Sequence, residues 1–179
     1  GAFCNIRPPG HHAERDRAMG FCLVNNVAVA AAYALEVKQL RRVAIIDIDV
    51  HHGNGTQDIF INDNRVLFCS SFQHPFYPNT NIENMPPHIL NSPLAATSRG
   101  KEFRDALAAW IPTLTAFKPQ LIFISAGFDG YIDDDMSSIS LVEQDYAWVT
   151  KQLRQLMDDS RLLPADEQCL GIVSCLEGG

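Results

Sequence analysis

Apolar and polar residues fall along this chain in alternating blocks. Val24 to Leu40 is alanine-rich with few breakers and predicts a helix, while the apolar, β-branched run Val43 to Ile48 predicts a strand. Val66 to Cys69 predicts a second short strand. Between Ser71 and Gly100 the chain turns polar and rich in proline and asparagine, a connection long enough to be functional or an insertion. Arg99 to Phe117 and Leu141 to Met157 predict helices, and Gln120 to Ser125 and Cys169 to Cys175 predict strands. This alternation, without repeats or low-complexity linkers, implies an α/β fold of three αβα layers around a mainly parallel sheet.

Such sheets bind ligands beyond the carboxyl ends of their strands, and here each predicted strand runs into unusual residues at that end. The first leads into Asp47, Asp49 and His51, the second into Ser70 and Ser71, the third into Ser125-Ala-Gly-Phe-Asp129, and the fourth into Leu176-Glu-Gly-Gly179. Asp47, Asp49 and His51 occupy every second position, so an extended strand projects all three from one face toward a divalent metal. Isolated Asp-x-Asp pairs usually cap turns, but carboxylate beside imidazole is a common zinc or iron ligand set. Asp129 is the natural third ligand with Asp49 and His51. Near the start, Arg7-Pro-Pro-Gly-His11-His12 keeps two histidines in a non-helical segment. Histidine titrates near neutrality and can pass a proton to or from a reacting water.

Composition narrows the reading. With 179 residues and 46% hydrophobic content the chain suits one core and is short for two domains. A formal net charge of −7, without any Lys/Arg run, speaks against direct nucleic-acid binding and tolerates a cationic substrate. Five cysteines without a Cys-x-x-Cys indicate neither a disulfide framework nor a thiolate zinc site, and fit a reducing, cytoplasmic setting. No apolar run approaches the roughly 20 residues of a membrane helix, so no membrane partner is expected.

Four ordered blocks together resemble the metal-dependent histone deacetylase family, including its bacterial members. They are Arg7-Pro-Pro-Gly-His11-His12; Gly20-Phe21-Cys22 with Asn25-Asn26; Asp47-Ile-Asp49-Val-His51-His52-Gly-Asn54-Gly-Thr56; and Ser125-Ala-Gly-Phe-Asp129. The resemblance implies an arginase/deacetylase-like fold and zinc-dependent hydrolysis of an N-acyl amide, such as acetyl-lysine or an acetylpolyamine, by metal-activated water with histidine as general acid and base. It implies one zinc, held by Asp49, His51 and Asp129. His11 and His12 match the tandem histidines, Asp47 the carboxylate that holds the first, and Asn54 the partner of the second. Asp47, Asp49, His51 and Ser70 match a structural potassium site. Gly20, Phe21, Tyr77 and Gly127 match the substrate channel, with Phe21 and Tyr77 as its aromatic walls. A homo-oligomer is compatible with the resemblance.

Several positions depart from the family pattern. The usual Gly-Gly-Tyr, whose tyrosine steadies the oxyanion, ends here at Gly178-Gly179, and the chain opens at Gly1-Ala-Phe as if in mid-domain. Residues 1–179 are therefore expected to be a single partial deacetylase domain, incomplete at both ends. Loss of an oxyanion donor lowers rates by about 10²–10³, so weak activity is expected of this polypeptide. Phe72 stands where histidine is common, Asn79 and Asn81 replace turn glycines, and Gly130-Tyr131 follows Asp129. Asp133-Asp-Asp135 reads as a solvated acidic loop, and His74 and His88 as surface positions. Two alternatives stay open: an arginase-like binuclear ureohydrolase, which needs further close carboxylates, and a non-catalytic module that binds an acyl-lysine or amine.

Overall fold

The computed structural model describes residues 1–178; Gly179, the last residue of the terminal motif, lies outside the described residues. Six strands form one parallel sheet: β1 (Ala2–Cys4), β2 (Val43–Asp47), β3 (Val66–Gln73), β4 (Ile89–Leu94), β5 (Leu121–Gly127) and β6 (Ile172–Gly178). Their order across the sheet is β1-β6-β5-β2-β3-β4. Four helices complete the layers: α1 (Asn26–Glu36), α2 (Asn54–Phe60), α3 (Gly100–Phe117) and α4 (Glu143–Ser160).

The period-2 geometry of a strand sorts the central residues between two cores. Val43 and Ile45 of β2 pack with Val66, Phe68 and Phe123 beneath α1 and α2. Ala44 and Ile46 pack with Leu67, Cys69, Ile122 and Ile124 beneath α3 and α4. Continued one step, the first face turns polar at its carboxyl end. Asp47 pairs in register with Ser70 on β3 and with Ser125 on β5, and all three are fully buried. A buried polar row of this kind is stable only if each group finds a partner, and those partners build the site.

Three elements escaped the hydrophobic pattern. β1 is too short to show alternation. α2 begins inside the His-His-Gly-Asn-Gly run, where glycines read as loop. β4 lies in the polar connection and contains Pro93, which is tolerated because β4 is the sheet's edge and pairs only with β3. The first helix is shorter than its alanine-rich run. Asn25 caps it by accepting from the backbone N–H of Ala28, and Val37 ends it.

Candidate metal centre and its histidine pair

The strand pattern needs one correction at the point that matters most. β2 stops at Asp47, and Asp49 and His51 do not continue an extended strand. The loop instead winds around its own carboxylates. The N–H of Asp49 donates to Asp47 Oδ1 (3.2 Å), that of His51 to Asp49 Oδ1 (2.8 Å), and that of Val50 to Asp129 Oδ1 (3.0 Å). This winding sends Asp47 and Asp49 to different duties.

Asp49, His51 and Asp129 offer one donor atom each within 4.8 Å of one another, and all three residues are buried. His51 Nδ1 lies 3.0 Å from Asp49 Oδ1 and 2.9 Å from Asp129 Oδ2. Burial and the Asp49 charge hold the Asp129 carboxyl above the usual range. Burial opposes a charged His51, but hydrogen bonds to Asp129 and Asp49 prevail and raise its pKa to about 9. Two buried carboxylates thus converge on one cationic position, which a proton on His51 fills and a divalent cation suits better. The donor set fits a three-ligand metal site with a position left open. Among the described residues it is the only such cluster. Asp133 and Asp135 are exposed on a separate loop, so the second close carboxylate that a binuclear ureohydrolase needs is not supplied there.

The tandem histidines stand beside this cluster in opposite states. His11 Nδ1 lies 2.9 Å from Asp47 Oδ2, and its Nε2 is 3.7 Å from Asp49 Oδ1. Burial works against its charge, but Asp47 and Asp49 raise its pKa well above the ordinary value. His12 is driven the other way, down to about 3, by burial and by the neighbouring His11. Asn54 fixes its tautomer. The Asn54 amide donates to Glu14 Oε1 (2.7 Å), so its Oδ1 must accept from His12 Nδ1–H (2.7 Å), leaving Nε2 as the free basic nitrogen. Gly20, at φ 56°, lies flat against the His12 ring, where any Cβ would overlap it.

Glu177 on β6 went unassigned in the sequence, yet it fixes this pair in place. Buried at 4% exposure, its Oε2 accepts from the backbone N–H groups of Gly10 (2.7 Å) and His11 (3.0 Å), while Oε1 accepts from Ser125 Oγ (2.8 Å). Its signal was an acid at the carboxyl end of an apolar strand, the same signal that marked Asp47. His52 was also missed. Its ring bridges Ser70 Oγ (3.1 Å) and Gln57 Oε1 (3.0 Å) and packs on Phe72, and burial lowers its pKa to about 4.

A cleft of about 700 Å³ opens over His12, Asp49, His51 and Asp129, with Gly20, Phe21 and Tyr77 in its wall. Tyr77 sits edge-on to His12, with ring centroids 5.1 Å apart, and Phe76, a further missed neighbour, stacks on His51. The expected narrow aromatic tunnel is open on one side, because Phe21 is 85% exposed. Gly127 lies outside the wall and behind Asp49, where a Cβ would overlap the carboxylate. Ser70 adjoins Asp47 but spends its hydroxyl on His52. His74 is exposed as expected, whereas His88 is half-buried with Nε2 3.1 Å from the Phe60 carbonyl oxygen.

A parallel α/β sheet with an Asp-His-Asp cluster and a histidine pair at its carboxyl ends defines the arginase/deacetylase-like class. Within that class the profile of the histone deacetylase domain matches residues 1–179, and the chain belongs to that family. It is similar to the type-2 histone deacetylase 2 of Dictyostelium discoideum, at 41% identity over 202 residues, covering 99% of this chain and 11% of that protein. It is also similar to a probable deacetylase of Archaeoglobus fulgidus, at 38% identity over 186 residues, covering 99% of this chain and 49% of that protein. The crystal structure of the HDA15 HD domain superposes with a TM-score of 0.87 at 36% identity, covering 99% of this chain and 50% of that one. The chain spans about half the length, or less, of these relatives.

Proposed function

We propose that this chain hydrolyses the N-acyl amide of a primary aliphatic amine, an acetyl-lysine side chain or an acetylated polyamine. The observation that carries the reading is a neutral histidine, His12, sharing one cleft with the cluster Asp49, His51 and Asp129. That cluster would hold the divalent cation, zinc on this reading, which when bound polarises the scissile carbonyl and makes water more acidic. His12 Nε2 accepts a proton during attack and returns it to the departing amine, a role that requires the free base that burial preserves. His11 stays cationic between Asp47 and Asp49 and keeps His12 neutral. Asn54 and Glu177 orient the pair.

The aliphatic stem of the substrate lies along Phe21 and Tyr77, and the net charge of −7 accords with a cationic amine product. We extend the reading to a potassium ion beside Asp47, supported by the in-register contact of Asp47 with Ser70. Five free thiols accord with a reducing compartment such as the cytoplasm. Among the described residues no helix is long and apolar enough to cross a membrane. The test is acetate release from an acetyl-lysine peptide and from N-acetylspermidine by the zinc-loaded chain, beside His12→Ala. Slow release that depends on His12 is expected; none from either substrate overturns the reading.

A further inference from the structure

The strands at one edge of the sheet place two thiols side by side. Cys4 on β1 and Cys175 on β6 are register partners in parallel pairing. Adjacent strands lie about 4.8 Å apart, inside the Cα separation of about 4.4–6.8 Å that a disulfide spans. Cys175 belongs to the core beneath α1 and α2, and Cys4 packs against that same core, so both side chains leave the sheet on one face. Both are free thiols. Burial and the adjoining Cys4 thiol push the Cys175 thiol up to about 12, which keeps Cys175 protonated at neutral pH.

The other three cysteines have no such neighbour. Cys69 faces Ile46 and Leu90 across its strands, and the thiols of Cys22 and Cys169 donate to the carbonyl oxygens of Gly20 and Gly171.

We propose that Cys4 and Cys175 form an oxidisable dithiol that a peroxide converts into an intramolecular disulfide joining β1 to β6. Cys4, half-exposed, meets the oxidant first. Its sulfur gives up the thiol proton and attacks one peroxide oxygen; an S–O bond forms, the O–O bond breaks, and the departing hydroxide takes up that proton as water, giving a sulfenic acid. The Cys175 sulfur then attacks the Cys4 sulfur, the S–O bond breaks, and hydroxide departs with the Cys175 proton as a second water. The two electrons lost by the thiols reduce the peroxide. Fixed adjacency in the sheet offsets the low nucleophilicity of the buried Cys175 thiol. The bridge lies two residues before Glu177 on β6 and six before Gly10 on the opposite segment, so it locks together both sides of the clamp that holds the histidine pair.

The folded chain is treated with hydrogen peroxide at neutral pH, unreacted thiols are alkylated in denaturant, and peptides are mapped by mass spectrometry. The expected result is one cross-link joining the Cys4 and Cys175 peptides, with alkylatable thiols falling from five to three and returning with dithiothreitol. Tm rises by roughly 5–10 °C on oxidation. Neither the link nor the rise appears in Cys4→Ser or, as a second variant that keeps the core apolar, in Cys175→Ala. Conversion of Cys4 to a sulfinic acid while Cys175 stays reduced, or a cross-link between any other pair, overturns the proposal.

Discussion

The carboxylate of Glu177 accepts the backbone N–H of His11 at 3.0 Å, joining residues 166 positions apart in the sequence. The same carboxylate serves Gly10 and Ser125, so removing it orphans three buried donors. Glu177→Ala is expected to destabilise the chain by about 3 kcal/mol in urea denaturation. Glu177→Gln, which keeps an acceptor and the volume, is expected to lose less than half of that. Equal losses would mean that charge, rather than the hydrogen-bond set, holds the loop.

Zinc should bind with one equivalent per chain and be lost in Asp129→Ala, as read by metal analysis after gel filtration. Affinity should also climb with pH. In the metal-free chain His51 carries a proton up to about pH 9, and a ligand must shed it, so apparent affinity rises by up to about tenfold per unit between pH 7 and 9. A pH-independent constant would show that His51 is not a ligand.

Gly127 supplies space rather than a group. A Cβ at that position overlaps the Asp49 carboxylate, which cannot retreat because it also holds the His51 N–H. Gly127→Ala is therefore predicted to weaken zinc binding at least about tenfold while the circular dichroism spectrum stays that of the parent chain.

His52 gives the fold an acid-sensitive limb. Its pKa is about 4 in the folded chain against 6.5 for an unperturbed histidine. Above pH 6.5 both states are neutral there. As the pH falls from 6.5 toward 4 the unfolded chain takes up a proton that the folded chain refuses, and up to about 3 kcal/mol of stability is lost. His52→Phe, which keeps a ring against Phe72, should start less stable and show a flatter decline over that interval in the metal-free chain. An unchanged slope would assign the limb to another group, His12 first.

The central strands and the two long helices were legible because their signals are local: apolar runs for strands buried on both faces, and helical periodicity for α3 and α4. The candidate metal donors, Asp49, His51 and Asp129, were legible as a group from residue type. Their geometry was not, because Asp49 and His51 meet Asp129 through a loop that winds on side-chain acceptors, which no period of two describes. Glu177 and His52 were hidden for a related reason. A buried acid or imidazole declares itself only through its partners, and those partners, Gly10, His11, Ser125, Ser70 and Gln57, come from other elements. β4 was hidden by Pro93, which is diagnostic of an edge only once the sheet order is known.

The order of the strands also divides the site by sequence distance. Among the described strands β1 and β6 are neighbours in the sheet although they lie farthest apart in the sequence. Asp49, His51 and Asp129 follow β2 and β5, which pair directly at the centre of the sheet. The histidine pair follows β1 instead and is tied to β6 through Glu177. One half of the site thus rests on the central pairing, and the other on the longest-range pairing in the sheet, a kind of contact that is slow to close.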